Sequence, residues 1–135
     1  MASATDTHTV SLTMPAKPEY LVLARLALSA LCRLTPLEPD HVADLKLAVT
    51  ESATYIMGGE RRSTTREGSE DVPEISYSFS IEGDRLVLEI RGTEQPTLSE
   101  EERELGRAII EAMVDENSFE EGLVRLVKKL PRDDQ

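Results

Sequence analysis

The feature that most constrains this chain is a strict two-residue alternation over residues 75–90. Ile75, Tyr77, Phe79 and Ile81 alternate with Ser76, Ser78 and Ser80, and after Gly83-Asp84 the pattern resumes at Leu86, Leu88 and Ile90. Successive side chains of a strand point to opposite faces, so each run carries one apolar face and one polar face. With a Gly-Asp turn between them, the two runs predict a β-hairpin. Its apolar face has to be covered by other parts of the chain.

Those parts can be read on either side. Val10, Leu12 and Met14 alternate with Thr9, Ser11 and Thr13, which predicts a half-buried strand ended by Pro15 and Pro18. Pro18-Glu19 suits a helix start, and the helix runs to about Leu34. Apolar residues nearly encircle it, so it is expected to be mostly buried. Arg25, Ser29 and Arg33 recur every fourth residue and form one polar stripe on it. Pro36 and Pro39 mark a turn. A second helix follows from about Pro39 to Met57, stopped by Gly58-Gly59, with Val42, Leu45, Val49, Ala53 and Ile56 as its inner face and Asp44, Glu51 and Tyr55 on another side.

Residues 58–73, rich in Gly, Ser, Thr, Arg and Glu, read as a mobile loop. Gly92 to Pro96 is a break. Ser99 followed by Glu102 makes a capping box, starting a helix that reaches about Asp115. Ser118 to Leu130 reads as a last hairpin turning near Glu121-Gly122. The order is therefore β-α-α-β-β-α-β-β. It predicts an α/β fold, an α+β two-layer sandwich whose mixed, mostly antiparallel sheet carries helices on one face. Residues 1–8 and 131–135 read as tails, the first of them flexible, and 9–130 as a single domain.

Charge narrows the range of partners. The 135 residues carry a formal net charge of -11, a field that repels phosphates and disfavours direct nucleic-acid binding. Such a field attracts a basic protein partner, or else serves only solubility. Cys32 is the single cysteine, so no internal disulfide can form, and its apolar context reads as a small core filler. Neither His8 nor His41 sits in a ligand pattern, so no metal site of Cys and His is expected. The N-terminus lacks a signal-peptide pattern. The apolar stretch Leu21–Leu34 is broken by two arginines and falls short of the about 20 residues that span a bilayer. A cytoplasmic protein without a membrane partner is expected.

Two segments carry a family resemblance. Pro15-Ala16-Lys17-Pro18-Glu19-Tyr20 with Ala24-Arg25-Leu26-Ala27-Leu28-Ser29 resembles the first helix of RsbW-type anti-sigma factors. Asp44-Leu45-Lys46-Leu47-Ala48-Val49-Thr50-Glu51-Ser52-Ala53-Thr54 resembles their second. The likeness is sharp over residues 14–57 and continues through the hairpin to Leu105-Gly106-Arg107-Ala108-Ile109-Ile110-Glu111. It implies the fold of the GHKL superfamily of histidine-kinase-like ATPases. It also implies a homodimer that sequesters a sigma factor, with a STAS-domain anti-anti-sigma factor as competitor. Active members phosphorylate that competitor on serine or threonine with ATP and Mg²⁺.

The resemblance also assigns residues. Glu51 stands where the family carries its catalytic glutamate, a carboxylate that orients or deprotonates the attacking hydroxyl. One turn later, where the family places an Asn that holds Mg²⁺, this chain has Tyr55. A neutral phenol is a poor ligand for that ion, and its ring takes up the room. The Asp-x-Gly-x-Gly motif is replaced by Gly92-Thr93-Glu94-Gln95-Pro96. The Gly-rich lid is missing, and Gly106 resembles the remnant of a phosphate-side Gly-x-Gly. Glu51, Tyr55, Gly92 and Gly106 thus outline a remnant nucleotide site in which ATP binding and kinase activity are expected to be weak or lost. The alternative is an active kinase with an unusual site. Arg25 stands at a partner-contacting arginine of the first helix, and Ser29 and Arg33 extend that surface. The acidic run Glu100–Glu104 is either a helix start complementing the dipole or an acidic contact for a basic sigma-factor surface.

Overall fold

The computed structural model describes residues 8–58, 73–93 and 98–131. Strand β1 spans His8–Pro15, beginning one residue inside the expected tail. A 3-10 turn at Pro18–Tyr20 leads into α1 (Leu21–Cys32), and α2 follows at Pro39–Met57. The hairpin is β2 (Glu74–Glu82) and β3 (Arg85–Gly92). Helix α3 spans Glu100–Met113, and β4 (Glu116–Glu120) and β5 (Leu123–Lys129) close the chain. The order is the expected one. The Gly-rich loop at 59–72, most of both tails, and residues 94–97 of the break lie outside the described residues.

The sheet runs β1-β2-β3-β5-β4, and every described pairing is antiparallel, so the expected mixed character is not seen. Register explains the alternation. Phe79 lies opposite Leu88 and Val10, and Leu88 lies opposite Leu126, so one face is apolar across four strands. All three helices pack on that face. Helix α1 rests on β1 and β2, α2 on β3, and α3 against β4, with α2 between the other two. Leu28, Leu45, Val49, Ile56 and Ile110 meet Tyr77, Phe79, Leu88 and Leu126 in one core. Each such side chain, once buried, contributes roughly 1.5–3 kcal/mol. The other face carries Ser76, Ser78, Glu89 and Arg125. There the Arg125 Nε donates to Glu89 Oε2 at 3.2 Å, and Val87 and Val127 lie paired and buried.

Local chemistry sets the helix ends. Past α1, the Thr35 hydroxyl donates to the Cys32 carbonyl at 2.7 Å and accepts from the Leu37 amide at 3.2 Å, sealing the turn before Pro39. Pro39 occupies the first turn of α2, where its missing N–H costs nothing. Gly58, at φ 94°, takes the left-handed conformation that ends that helix.

One expectation fails. Helix α1 is not mostly buried: Val22, Leu23 and Leu26 are 49%, 47% and 61% exposed. Ala24, Leu28, Leu31 and Cys32 are its buried residues, with Leu21 and Ala27 partly buried against the core, because the sheet and α2 cover only one side of the helix. No helix among the described residues is long and apolar enough to cross a membrane.

Cys32 is the core filler expected, 4% exposed. Burial pushes its thiol from 9.0 up to about 11, partly opposed by the Lys46 charge. The folded state thus holds the thiol proton more tightly than the unfolded chain. That contribution is complete below the ordinary thiol pKa of 9.0 and is lost as pH climbs to about 11. Urea midpoints should therefore fall across this window, and Cys32→Ala should flatten part of the fall. A thiol reagent at neutral pH should label Cys32 only as the protein unfolds.

Candidate functional site

Helix α2 presents Glu51 and, one turn later, Tyr55 toward α3. Glu51 is half-buried. Gly106 of α3 lies beside it: a Cβ at that position would stand 3.9 Å from Glu51 Oε1, in ordinary contact. Tyr55 is 5% exposed, although its neighbours Glu51 and Thr54 are not buried. Its ring packs on Phe119 of β4, centroid to centroid 5.2 Å at a 54° tilt. The Arg103 guanidinium lies 4.2 Å from the centre of the Tyr55 ring, and that of Arg107 lies 4.7 Å from the centre of the Phe119 ring. Arg103 and Arg107 are one turn apart on α3, so two guanidinium groups and two rings interlock three elements. A tilted aromatic pair is worth about 0.5–1.5 kcal/mol beyond its burial. Each guanidinium–ring contact adds roughly 0.5–2 kcal/mol.

The start of α3 is closed by its own chain. Ser99 Oγ accepts from the Glu102 amide at 3.0 Å, and Glu102 Oε1 accepts from the Ser99 amide at 2.8 Å. Glu100, Glu101 and Glu102 fill the first turn. A helix N-terminus attracts anions through free amides and a positive dipole end; here one amide is capped and three carboxylates sit on it. The dipole role expected for the acidic run is therefore present.

Gly92 has a packing explanation. A Cβ there would come within 3.1 Å of Ile56 Cγ2 and 3.3 Å of the Glu74 carbonyl. Its amide donates to the Gly122 carbonyl at 2.9 Å, tying the end of β3 to the β4–β5 turn. Gly122, at φ 76°, would place a Cβ 2.6 Å from the Gly92 carbonyl oxygen, so no larger residue fits.

Glu51, Tyr55 and Gly106 are thus brought together, with Gly92 behind Ile56. Arg25, Ser29 and Arg33 lie apart from them, on α1, with α2 between. Arg25 and Arg33 are exposed and Ser29 is half-buried. Among the described residues no three His, Cys, Asp or Glu side chains are grouped as metal ligands. Sequence reasoning missed Arg103, Arg107 and Phe119. The four-residue spacing of the arginines, and a lone Phe in an otherwise polar strand, were the available signals. It also missed Ser52, fully buried with its hydroxyl in no hydrogen bond among the described residues.

Two substitutions test this geometry. Tyr55→Asn removes the ring between Phe119 and Arg103 and should cost about 3 kcal/mol in urea unfolding. Gly106→Ala meets only an ordinary contact and should leave the fold intact while stabilising α3 by up to about 1 kcal/mol.

Comparison with known proteins gives a consistent picture. Residues 14–128 match the family described as histidine kinase-like ATPase domain. The serine-protein kinase RsbW of Bacillus licheniformis is 30% identical over 110 residues, covering 81% of this chain and 65% of that protein. RsbW of Listeria innocua is 33% identical over 87 residues, 64% of this chain and 52% of that protein. The chain thus spans about half to two thirds of the length of the curated relatives it matches. A crystal structure of the RsbU and RsbW domains of a Mycobacterium tuberculosis protein superposes with a TM-score of 0.64 over 93% of this chain and 33% of that one. At 16% identity, that likeness is one of fold.

Proposed function

The chain belongs to the histidine kinase-like ATPase family, as a member of RsbW type, and on that premise we propose that it is an anti-sigma factor that acts by binding alone. In this proposal it sequesters an alternative sigma factor in the cytoplasm, as a homodimer. A STAS-domain anti-anti-sigma factor competes for it and releases the sigma factor.

The observation that carries binding without phosphotransfer is the burial of Tyr55 between Phe119 and Arg103. In the family, the side chain at that position holds Mg²⁺. Here it is a neutral phenol locked under a guanidinium, and Mg²⁺ favours compact oxygen ligands in octahedral geometry. The start of α3, where phosphates would be cradled, is capped and carries three carboxylates. These residues do not fit Mg-ATP. Glu51 keeps its place, but a general base contributes only when a reacting hydroxyl and a phosphoryl group are held beside it.

The alternative is an active serine/threonine kinase that phosphorylates the anti-anti-sigma factor with Mg-ATP. Glu51, half-buried next to Gly106, is the feature that favours it.

For sequestration, α1 supplies the surface. Arg25 is exposed on it beside the bared Leu26, and arginine's planar fork forms paired hydrogen bonds with carboxylates.

The test begins with a pull-down that identifies the protein partners. Calorimetry with ATP and ADP should then show no saturable binding, and incubation with Mg-ATP should leave the captured STAS partner unphosphorylated. Robust phosphotransfer that Glu51→Ala abolishes would establish the kinase instead. Arg25→Glu should weaken sigma-factor binding at least about tenfold, a single well-placed charge pair, while circular dichroism stays unchanged.

A further inference from the structure

A groove of about 540 Å³ runs between the C-terminal end of α1 and the first half of α2, distinct from the Tyr55 cluster on the far side of α2. Ser29 and Arg33 line it from α1, Leu37 from the connection, and Val42 and Lys46 from α2. Its walls mix the apolar Leu37, Pro39, Val42 and Ala43 with two hydroxyls, a buried thiol and two cations, and no acidic residue is among them. That is unexpected in a chain with 26 acidic and 15 basic residues. Among the described residues neither Arg33 nor Lys46 forms an ion pair. Lys46 and Cys32 line the same groove, and the Lys46 charge partly opposes the upward push on the Cys32 thiol.

The rim is apolar. Leu26 and Leu34 are each 61% exposed and Leu47 is 42% exposed. Val22, Leu26, Ser29 and Arg33, spaced four, three and four residues apart, share one ridge of α1, so its exposed apolar residues lead toward the cationic end of the groove. A groove between two helices with apolar side chains in its walls accepts the apolar face of a third helix. Two cations with no carboxylate partner among the described residues call for carboxylates on that helix. A nucleic acid or an anionic membrane would bring many charges against the overall field of -11, whereas a helix need bring only two carboxylates.

We propose that the α1–α2 groove is a docking site for an acidic amphipathic helix of a protein partner, whose leucine-like side chains fill the groove and whose carboxylates meet Arg33 and Lys46. This rests on the reading of the chain as a protein-binding regulator. It adds the chemistry of the segment bound, at Lys46 and at Arg33, which lies about two turns along the same stripe from Arg25.

The test uses the full chain, labelled with ¹⁵N, and two side-chain-stapled helical peptides of about 15 residues, near the length at which a helix becomes stable. Both carry leucines along one face. One has glutamates flanking that face and the other has glutamines. The glutamate peptide should shift amide resonances between residues 29 and 46, and the glutamine peptide should bind at least about tenfold more weakly. Arg33→Glu combined with Lys46→Glu should lose the glutamate peptide, and a lysine version of the peptide should recover binding to that variant. Arg33→Gln with Lys46→Gln serves if the reversal unfolds the chain. Equal binding of the two peptides, shifts confined to other surfaces, no binding of the glutamate peptide, or indifference to the variants would overturn the proposal. A captured protein partner that responds to Arg25→Glu but not to the groove variants would also overturn it, leaving the proposed function standing. Failure to capture any protein partner would count against the proposed function, while the peptide titration still decides the groove.

Discussion

Keeping water off the inner face of the β2–β3 hairpin organises this molecule. Tyr77, Phe79, Leu86, Leu88 and Ile90 form an apolar surface that two strands cannot hide alone. Helix α2 is laid across it, with Leu45, Val49 and Ile56 facing down. Once α2 is fixed there, its two flanks are fixed as well. One flank carries Glu51 and Tyr55 toward α3, and the other, with Val42 and Lys46, forms a wall of the groove beside α1. Both surfaces considered for function are consequences of seating one helix.

On the first flank, packing around Tyr55 locks three elements together. Tyr55 and Phe119 are pressed together and roofed by Arg103 and Arg107, so α3 is tied to α2 and to the last hairpin by its own side chains. The close backbone approach of Gly92 and Gly122 ties the same corner from beneath. Such an arrangement contributes a few kcal/mol, comparable to much of a small domain's net stability. A ligand entering there would have to displace those contacts before making any of its own.

The second flank shows how charge is distributed. The chain is strongly acidic, yet Arg25, Arg33 and Lys46 gather along α1 and the facing side of α2, next to exposed leucines. The acidic first turn of α3 lies beyond α2 from them. Separation of this kind orients an approaching partner, because the attractive and repulsive fields act on different faces.

Much of the fold was legible in the chain. The alternation at Ile75–Ile90, the Pro39 and Gly58 ends of α2, and the Ser99–Glu102 capping box are local signals, set by backbone sterics and hydrogen bonds within a few residues, so sequence alone determined the elements and their order. Glu51, Tyr55 and Gly106 were singled out by the family resemblance, and the structure brings them together. Tertiary structure decided what those elements do together. That α1 bares Val22, Leu23 and Leu26 depends on how much of its cylinder the sheet and α2 can cover, which no helical period reveals. That Tyr55 is buried under Arg103 and against Phe119 depends on residues 48 and 64 positions farther along the chain. Contacts between such distant residues come from packing, and local pattern carries no record of them.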